Sequence, residues 1–178
     1  MTSATHGRYR IELAKARDVP SLPEVERRAC DLFLQVPFTA ALPALPTPLR
    51  HFERARREGI LWVARDSEGA PVGFALVQRL GADFHLEELD VLPEHGRRGL
   101  GTALVHRVCE WAERGGASVT LCTFREVPWN APFYKRLGFT PLGPEDLTPA
   151  LAGRMREETA RGLPPEHRVA MRWKAGRT

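Results

Sequence analysis

The chain has 178 residues, of which 43% are hydrophobic and 27% are charged. This length and composition are typical of a globular protein with a sizeable core, and we assign residues 1–178 to a single domain. No apolar run approaches the roughly 20 residues of a membrane helix, and MTSATHGRYR lacks the apolar stretch of a signal peptide, so we expect neither a membrane protein nor a secreted one. The formal net charge of +4 at pH 7 suits an anionic ligand, but it is too small and too dispersed to indicate a nucleic-acid partner.

The three cysteines, Cys30, Cys109 and Cys122, lie far apart in the sequence. They form neither a CxxC pair nor a spacing typical of a metal site. We therefore expect no bound metal and a location in the reducing cytoplasm.

The first half of the chain alternates between strand and helix patterns. Asp18 is expected to cap the first helix, because a carboxylate can accept the free N–H groups at a helix start. The segments ILWVARD and PVGFALVQRL flank SEGA and predict a β-hairpin. In chain order we predict a strand at 9–13, a helix at 18–33, a loop rich in proline and alanine at 35–48, a short helix at 48–59, two hairpin strands at 60–66 and 71–80, and a further strand at 83–93.

The second half begins with a helix over 99–114, in which Leu100, Leu104, Val108 and Trp111 recur every three or four residues. That period places the four side chains on one apolar stripe. The rest of the chain predicts a strand at 118–124, a short helix at 129–138, a strand at 139–143, a mostly helical stretch at 146–162 and a closing strand at 167–174. This alternation favours one α/β sheet with helices on its faces.

A glycine-rich basic turn, HGRRGLG, lies between the strand at 83–93 and the helix at 99–114. Free backbone N–H groups and the positive end of the helix dipole meet at such a helix start, which makes it an anion site. Gly96, Gly99 and Gly101 would let the backbone approach a ligand without an intervening Cβ. A basic turn without a ligand is the alternative, and the glycine order differs from the G-x-G-x-x-G dinucleotide pattern.

The strand FHLEELDV breaks the alternation of a regular strand. Phe84 and Leu86 are apolar at a spacing of two, but the next apolar residues, Leu89 and Val91, are one position out of step. The shift predicts a β-bulge between Leu86 and Leu89, which would splay the strand from its neighbour and open a slot.

The same strand carries four titratable residues. His85, Glu87 and Asp90 lie opposite the apolar set, and Glu88 at the bulge could point to either side. Their position beside a bulge and an anion-binding turn favours a functional site. The alternative is the solvated face of an amphipathic strand.

A third stretch of interest is WNAPFYKRLGF, which predicts a short helix closed by Gly138. Asn130 is a good helix N-cap, and Tyr134 lies one turn later. Phe133 supplies core. Taken alone, Tyr134 would be assigned to packing.

In combination, LDVLPEHGRRGLGTALV and NAPFYKRLGF resemble the GNAT superfamily of acyl-CoA-dependent N-acetyltransferases. The order of strands and helices agrees with that family over about residues 8–173. The resemblance implies an α/β GNAT fold with a single mixed, mostly antiparallel, twisted sheet of about seven strands. It also implies that the sheet is splayed at an acetyl-CoA cleft, that helices cover both faces, and that a homodimer is an option.

The resemblance also implies a binding site for the cosubstrate acetyl-CoA. In the family, the bulged strand pairs its backbone with the pantetheine arm, and the glycine loop holds the pyrophosphate on backbone amides. Gly96 stands where the family usually has arginine or glutamine, so either Arg97 or Arg98 would supply the charge. The residues implied to bind acetyl-CoA are Leu89, Asp90, Val91, Gly96, Arg97, Arg98, Gly99, Leu100, Gly101, Thr102, Asn130, Phe133 and Tyr134.

The chemistry of such a transfer needs a base and an acid. An alkyl amine has a pKa of roughly 10.4 and must lose a proton before it can attack a thioester. Glu87 is the favoured base, with His85 as the second candidate, and Tyr134 is the candidate acid that reprotonates the departing thiolate. None of the cysteines lies in a recognised nucleophile setting, so we expect direct transfer in a ternary complex.

Two other functional classes predict different sequence features. A non-catalytic acyl-CoA-binding module would lose the acid–base residues, and the presence of Glu87, His85 and Tyr134 argues against it. A nucleic-acid-binding protein would need a basic stripe with exposed aromatic residues, whereas the arginines here alternate with glutamates. The acceptor is expected to be a small-molecule amine of unknown identity. Glu24 and Glu26 could attract a cationic amine, and a solvated helix face is the alternative reading of that pair.

Overall fold

The computed structural model describes residues 4–6, 8–36, 39 and 46–176. Within this part of the chain, eight strands form one sheet in the order β1-β2-β3-β4-β5-β6-β8-β7. The strands are β1 (Ala4–His6), β2 (Tyr9–Leu13), β3 (Leu61–Arg65), β4 (Pro71–Leu80), β5 (Asp83–Val91), β6 (Val119–Phe124), β7 (Thr140–Pro141) and β8 (Arg168–Trp173). Each neighbouring pair is antiparallel except β5 and β6, which are parallel, so the predicted mixed, mostly antiparallel sheet is confirmed.

Helices cover both faces of the sheet. The α-helices are α1 (Leu22–Cys30), α2 (Leu49–Arg57), α3 (Leu100–Arg114), α4 (Ala131–Arg136) and α5 (Pro149–Ala160). On one face, the predicted stripe of α3 is buried through Leu104 and Val108, and Trp111 packs edge-on against Trp62 and Phe84. On the other face, Phe52 of α2 packs edge-on against Phe74 of β4, with both rings fully buried. Each such large side chain contributes about 1.5–3 kcal/mol by burial.

The first predicted helix is shorter than its pattern suggested. The α-helix covers only Leu22–Cys30, and short 3₁₀ turns at Val19–Ser21 and Asp31–Phe33 flank it. The prediction that Asp18 caps this helix was wrong, because its side chain makes no capping bond to the helix start. Most of the predicted loop at 35–48 lies outside the described residues.

Asp18 instead belongs to a buried ionic cluster, the Arg65 cluster, which consists of Glu12, Asp18 and Arg65. The Arg65 guanidinium is 2% exposed and donates to both carboxylate oxygens of Asp18, to Glu12 Oε1 and to the carbonyl of Gly69. The backbone N–H of Lys15 also donates to Asp18. Burial alone would raise the pKa of Asp18, but the bonds from Arg65 and Lys15 outweigh it and lower the pKa. The cluster ties the segment before α1 to the middle of the sheet.

No helix among the described residues is both long enough and apolar enough to cross a membrane. The three cysteines are free thiols.

Candidate active site

The sheet opens between its two parallel strands. β5 and β6 pair only through Phe84–Val119, His85–Thr120 and Leu86–Leu121. β5 then continues to Val91 and β6 to Phe124, and in the described part of the chain no further residues of the two strands pair. The backbone edge of β5 after Leu86 is therefore left without a strand partner on this side, and a cavity of about 140 Å³ lies between the strands.

The predicted bulge lies where the opening begins. Leu76 of β4 pairs with Glu88, and its neighbour Val77 pairs with Leu86, so Glu87 is the extra residue. Farther along the same strand pair, a Cβ at Gly73 would lie 2.7 Å from the carbonyl oxygen of Asp90, which is why β4 carries a glycine there. The bulge prediction made from the shift in apolar parity is confirmed.

Glu87 lies at the bulge and lines the cavity. Its side chain is only 4% exposed, and its Oε1 lies 3.1 Å from Nδ1 of His51 in α2 and 3.4 Å from Nη2 of Arg154 in α5. Its Oε2 is buried and has no hydrogen-bond partner among the described residues. One oxygen is thus fixed by two neighbours, while the other is unsatisfied.

His85 takes a different position from Glu87. It is 1% exposed, and its Nδ1 lies 3.0 Å from the hydroxyl oxygen of Thr120 on β6. Burial, together with the positive charges of Arg154 and Arg168, lowers its pKa to about 3. The imidazole is therefore neutral at pH 7, and it is not among the described side chains that line the cavity.

Glu88 and Asp90 line the same cavity as Glu87. Burial is the main reason that the pKa of each carboxyl is raised well above its ordinary value. Repulsion adds to the effect, because Asp90 and Glu26 face Glu88, and Glu26 faces Asp90. Sequence reasoning placed Asp90 on this face and left Glu88 open; the structure brings both carboxyls to the cleft.

Tyr134 of α4 also lines the cavity. The side chain is 8% exposed, and burial followed by the negative charges of Asp90 and Glu88 raises its pKa. Asn130 immediately precedes α4 and also lines the cavity, but its side chain makes no capping hydrogen bond. Phe133 packs towards α3, since its ring lies 3.5 Å from the position that a Cβ on Gly101 would occupy.

The glycine loop leads into α3 beside this opening. Arg97 has a φ of 54° and Gly99 a φ of 76°, so the backbone turns through the left-handed region twice before the helix begins. The first backbone bond into α3 runs from Ala103 N–H to Gly99 C=O, which leaves the preceding N–H groups of α3 without intrahelical acceptors. They belong to Leu100, Gly101 and Thr102.

The two arginines of the loop differ in their surroundings. Arg98 donates to the hydroxyl of Tyr9 at 3.0 Å and to the carbonyl of Glu94 at 3.1 Å. The Tyr9 hydroxyl also lies 3.0 Å from Nδ1 of His95. Arg97 is exposed. Arg98 is exposed as well, but these bonds hold its side chain at the protein surface.

Sequence reasoning missed two partners of Glu87. His51 and Arg154 are 36 and 67 residues away from it in the chain. Arg154 also lies 3.6 Å from Glu158, which accepts hydrogen bonds from Arg168 of β8. No local pattern marks these residues, because only the folded sheet brings α2, α5 and β5 together. In the described residues, no group of His, Cys, Asp and Glu side chains has an arrangement that could hold a metal ion.

Solved structures with the same fold include several acetyltransferases. The ribosomal-protein-S18-alanine N-acetyltransferase of Escherichia coli is 17% identical, with a TM-score of 0.66 and 96% of each chain covered. The PaiA N-acetyltransferase of Thermoplasma acidophilum, solved with coenzyme A, is 15% identical, with a TM-score of 0.63 and 93% of this chain and 98% of that chain covered. Rv2747 of Mycobacterium tuberculosis, also solved with CoA, is 20% identical, with a TM-score of 0.66 and with 92% of this chain and 98% of that chain covered.

A family model agrees with these likenesses in fold. The model of the acetyltransferase (GNAT) family matches residues 27–139, which is more than half of the chain. The match includes the bulged strand, the glycine loop, α3 and all of α4, which carries Tyr134. The chain belongs to the GNAT family of acetyltransferases.

Proposed function

We propose that this protein transfers the acetyl group of acetyl-CoA directly to the amine of a small acceptor, within a ternary complex. The observation that carries the proposal is a juxtaposition. The unpaired edge of β5 after Leu86 lies close to the N-terminus of α3, since a Cβ on Gly101 would come within 3.9 Å of the Leu89 side chain. At that N-terminus, three backbone N–H groups have no helical acceptor. An extended chain that carries amides at one end and a pyrophosphate at the other suits such a surface.

We assign the binding of acetyl-CoA mainly to backbone groups and less to side chains. The amides of Leu100, Gly101 and Thr102 would hold the pyrophosphate, and the free edge at 89–91 would pair with the pantetheine amides. Asn130 and Phe133 flank that path. Arg97 is the arginine that we assign to the phosphates, because Arg98 is already held by Tyr9 and Glu94.

Glu87 is the base in this proposal. Glu87 lines the cavity and its Oε2 has no hydrogen-bond partner among the described residues, so the carboxylate can take the proton that an ammonium group must lose before the nitrogen attacks. Attack forms the C–N bond and breaks the C–S bond of the thioester. Tyr134 then gives its proton to the leaving sulfur, and the excess proton on nitrogen restores the phenol.

His85 is the second candidate for the base. Its lowered pKa of about 3 makes the imidazole a poor proton acceptor, and its ring is held against Thr120. Cys30 and Cys122 line the cavity, but burial, followed by acidic neighbours, raises the pKa of each thiol to about 12. Both thiols stay protonated at neutral pH, which favours direct transfer over an acylated enzyme.

The test begins with acetyl-CoA binding. Acetyl-CoA should raise the melting temperature of the protein by mass action. Gly99→Val should abolish this shift. The matched control is Gly116→Val, which replaces another glycine at positive φ, at the far end of α3 and with open space around its Cβ position. If both variants lost the thermal shift equally, the loss would be due to backbone strain and not to damage of the acetyl-CoA binding site.

Thiol release then separates an enzyme from a binding module. We expect release of CoA from acetyl-CoA when small amines are supplied. A protein that binds acetyl-CoA but releases no thiol with any amine, amino acid or peptide would be a non-catalytic acyl-CoA-binding module. The absence of any thermal shift at millimolar acetyl-CoA would contradict the proposed function.

A further inference from the structure

A buried tyrosine of strand β2 reaches the glycine loop. Tyr9 is 4% exposed, and its ring packs edge-on against the imidazole of His95 at a centroid distance of 5.7 Å. Its hydroxyl oxygen lies 3.0 Å from Nδ1 of His95 and 3.0 Å from Nη1 of Arg98. One oxygen atom thus contacts two residues of the turn that precedes α3, although it belongs to a residue that lies 86 positions before His95 in the chain.

The chemistry of the three side chains fixes the direction of both contacts. A guanidinium can only donate, so the hydroxyl of Tyr9 accepts the bond from Arg98. The O–H of Tyr9 is then available to Nδ1 of His95, which accepts it when the imidazole carries its proton on Nε2. The result is a chain of two hydrogen bonds that runs from Arg98 through Tyr9 to His95. The bond from Arg98 is the stronger kind, because its donor is charged.

The two residues that Tyr9 contacts lie on either side of a strained position in the backbone. Arg97 lies between His95 and Arg98 and has a φ of 54°, in the left-handed region that disfavours residues with a Cβ. Such a conformation persists where the surrounding structure holds it in place. After Arg97 the turn passes through Gly99, with a φ of 76°, into α3. Tyr9 therefore holds the turn at the point where its backbone is least favourable.

Other bonds in this turn restrain it less. The N–H groups of His95 and Gly96 donate to carbonyls three residues earlier, so these bonds shape the turn but do not attach it to the sheet. The ion pair between Arg28 of α1 and Glu94 joins side chains that are 39% and 48% exposed, and exposed pairs contribute little. The hydroxyl of Tyr9 adds a partly buried attachment of the turn to β2.

Resting on the proposed function, we propose that Tyr9 is a positioning residue for acetyl-CoA. Its hydroxyl keeps the turn in the shape that presents Arg97 and the N–H groups at the start of α3 to the pyrophosphate. Tyr9 does not touch the cofactor in this proposal and takes no part in the chemical step. Its effect is confined to the phosphate-bearing half of the cofactor, and the pantetheine half, which pairs with β5, does not depend on it.

Two ligands that share the pantetheine arm test this proposal. CoA carries the nucleotide and the pyrophosphate, and pantetheine lacks both. Their dissociation constants are measured by calorimetry without an acceptor, with pantetheine titrated as a competitor of CoA. Tyr9→Phe keeps the ring and removes only the hydroxyl. We expect this variant to bind CoA about tenfold more weakly, the effect of one charge-assisted hydrogen bond, and to bind pantetheine as the wild type does.

Ile11→Val is the matched control. Ile11 is also a buried residue of β2, at 1% exposed, so this change removes core volume from the same strand while Tyr9 keeps its hydroxyl. The control should lower the melting temperature and keep the affinity ratio of CoA to pantetheine.

Arg98→Met breaks the same bond from an exposed position, where the change is compatible with folding. This variant should also lower the affinity ratio of CoA to pantetheine. Tyr9→Phe added to Arg98→Met should weaken CoA by less than about threefold, because residues that share one bond have non-additive effects.

The outcomes separate this inference from the proposed function. If the wild type does not bind CoA, the proposed function is contradicted and the inference falls with it. If the wild type binds CoA but Tyr9→Phe leaves both affinities unchanged or weakens both ligands equally, only the inference is overturned, because Tyr9 then serves the core alone. A full tenfold effect of Tyr9→Phe in the Arg98→Met background would also overturn it. If Tyr9→Phe does not fold, the ratio in Arg98→Met decides, and a wild-type ratio there overturns the inference.

Discussion

The protein buries ionisable groups in two places, which differ in how completely these groups are hydrogen-bonded. In the Arg65 cluster, both oxygens of Asp18 accept hydrogen bonds, and the guanidinium donates to two carboxylates and a carbonyl. The second place is the carboxylate cluster, which consists of Glu26, Glu87, Glu88 and Asp90. Three of these residues, Glu26, Glu87 and Asp90, each have a buried oxygen with no hydrogen-bond partner within the described chain. The pKa of Asp18 is lowered, whereas the pKa values of Glu88 and Asp90 are raised.

The difference separates a fully hydrogen-bonded cluster from one with unsatisfied oxygens. A buried charge with all its partners present holds the chain in place, and removal of one partner is costly. A buried charge without partners destabilises the fold and is retained at sites where a ligand completes it. Changes in the Arg65 cluster should therefore lower stability without altering the chemistry, whereas removal of an unpartnered carboxyl at the cleft should raise stability.

The largest expected effect is on turnover. Tyr134→Phe removes the hydroxyl and keeps the ring, which packs against Phe133 and Phe139 at centroid distances of 5.1 and 5.6 Å. The raised pKa keeps the phenol protonated at neutral pH, so the proton is available for the leaving sulfur. We expect turnover to fall roughly 10²- to 10⁴-fold, with little change in melting temperature or acetyl-CoA affinity.

A single-turnover measurement checks this prediction, since slow product release could otherwise conceal the chemical step. If Tyr134→Phe loses affinity and stability together while the single-turnover rate is kept, Tyr134 serves packing and the proposed acid is wrong.

The second effect is on stability. Asp18→Asn leaves Arg65 buried with one ionic partner fewer, and we expect a loss of about 3–5 kcal/mol of unfolding free energy. For a chain of this length the melting temperature should fall by roughly 10 °C. The double variant Asp18→Asn, Arg65→Met should recover part of that loss, because no uncompensated arginine remains. Turnover measured well below the melting temperature should stay at the wild-type value, and a reduced rate would link the Arg65 cluster to the site.

The third effect has the opposite sign. Asp90→Asn removes a carboxyl whose ionised form is disfavoured, so the variant should be more stable at pH 7 by about 1 kcal/mol. The folded-state pKa of Asp90 is raised, hence the stability of the wild type falls as pH rises from the unfolded-state value of roughly 3.9 up to the folded one. The gain from Asp90→Asn should therefore vanish below about pH 4.

Thermal melts of wild type and Asp90→Asn across this pH range measure the effect. A lower melting temperature for Asp90→Asn at pH 7 would mean that the carboxylate has a stabilising partner and that the two charge clusters are alike.

The comparison also shows which features a sequence can reveal. The bulge could be predicted because the shift in apolar parity between Leu86 and Leu89 is a local pattern in the sequence. The helix α3 could be predicted because its apolar period is also a local pattern. The capping role predicted for Asp18 was wrong because Arg65, 47 residues away, competes for the same carboxylate. His51 and Arg154 were missed for the same reason, since α2 and α5 reach Glu87 only after the sheet has formed. β1, with three residues, is too short to show an alternation.

The smallest expected effect separates two glutamates that the sequence could not distinguish. Glu24 and Glu26 lie on the same helix, yet Glu24 is exposed and forms hydrogen bonds of 2.7 and 2.8 Å with Arg27, while Glu26 is buried with one oxygen unsatisfied. Exposed ion pairs often contribute nothing measurable, because water and salt screen both charges. Glu24→Gln should therefore leave the melting temperature unchanged. Glu26→Gln keeps an oxygen for the N–H of Thr47 and removes a charge that repels Glu88 and Asp90, so it should raise the melting temperature at pH 7. If both variants melted alike, burial would not be what distinguishes the carboxylate cluster from an ordinary acidic helix face.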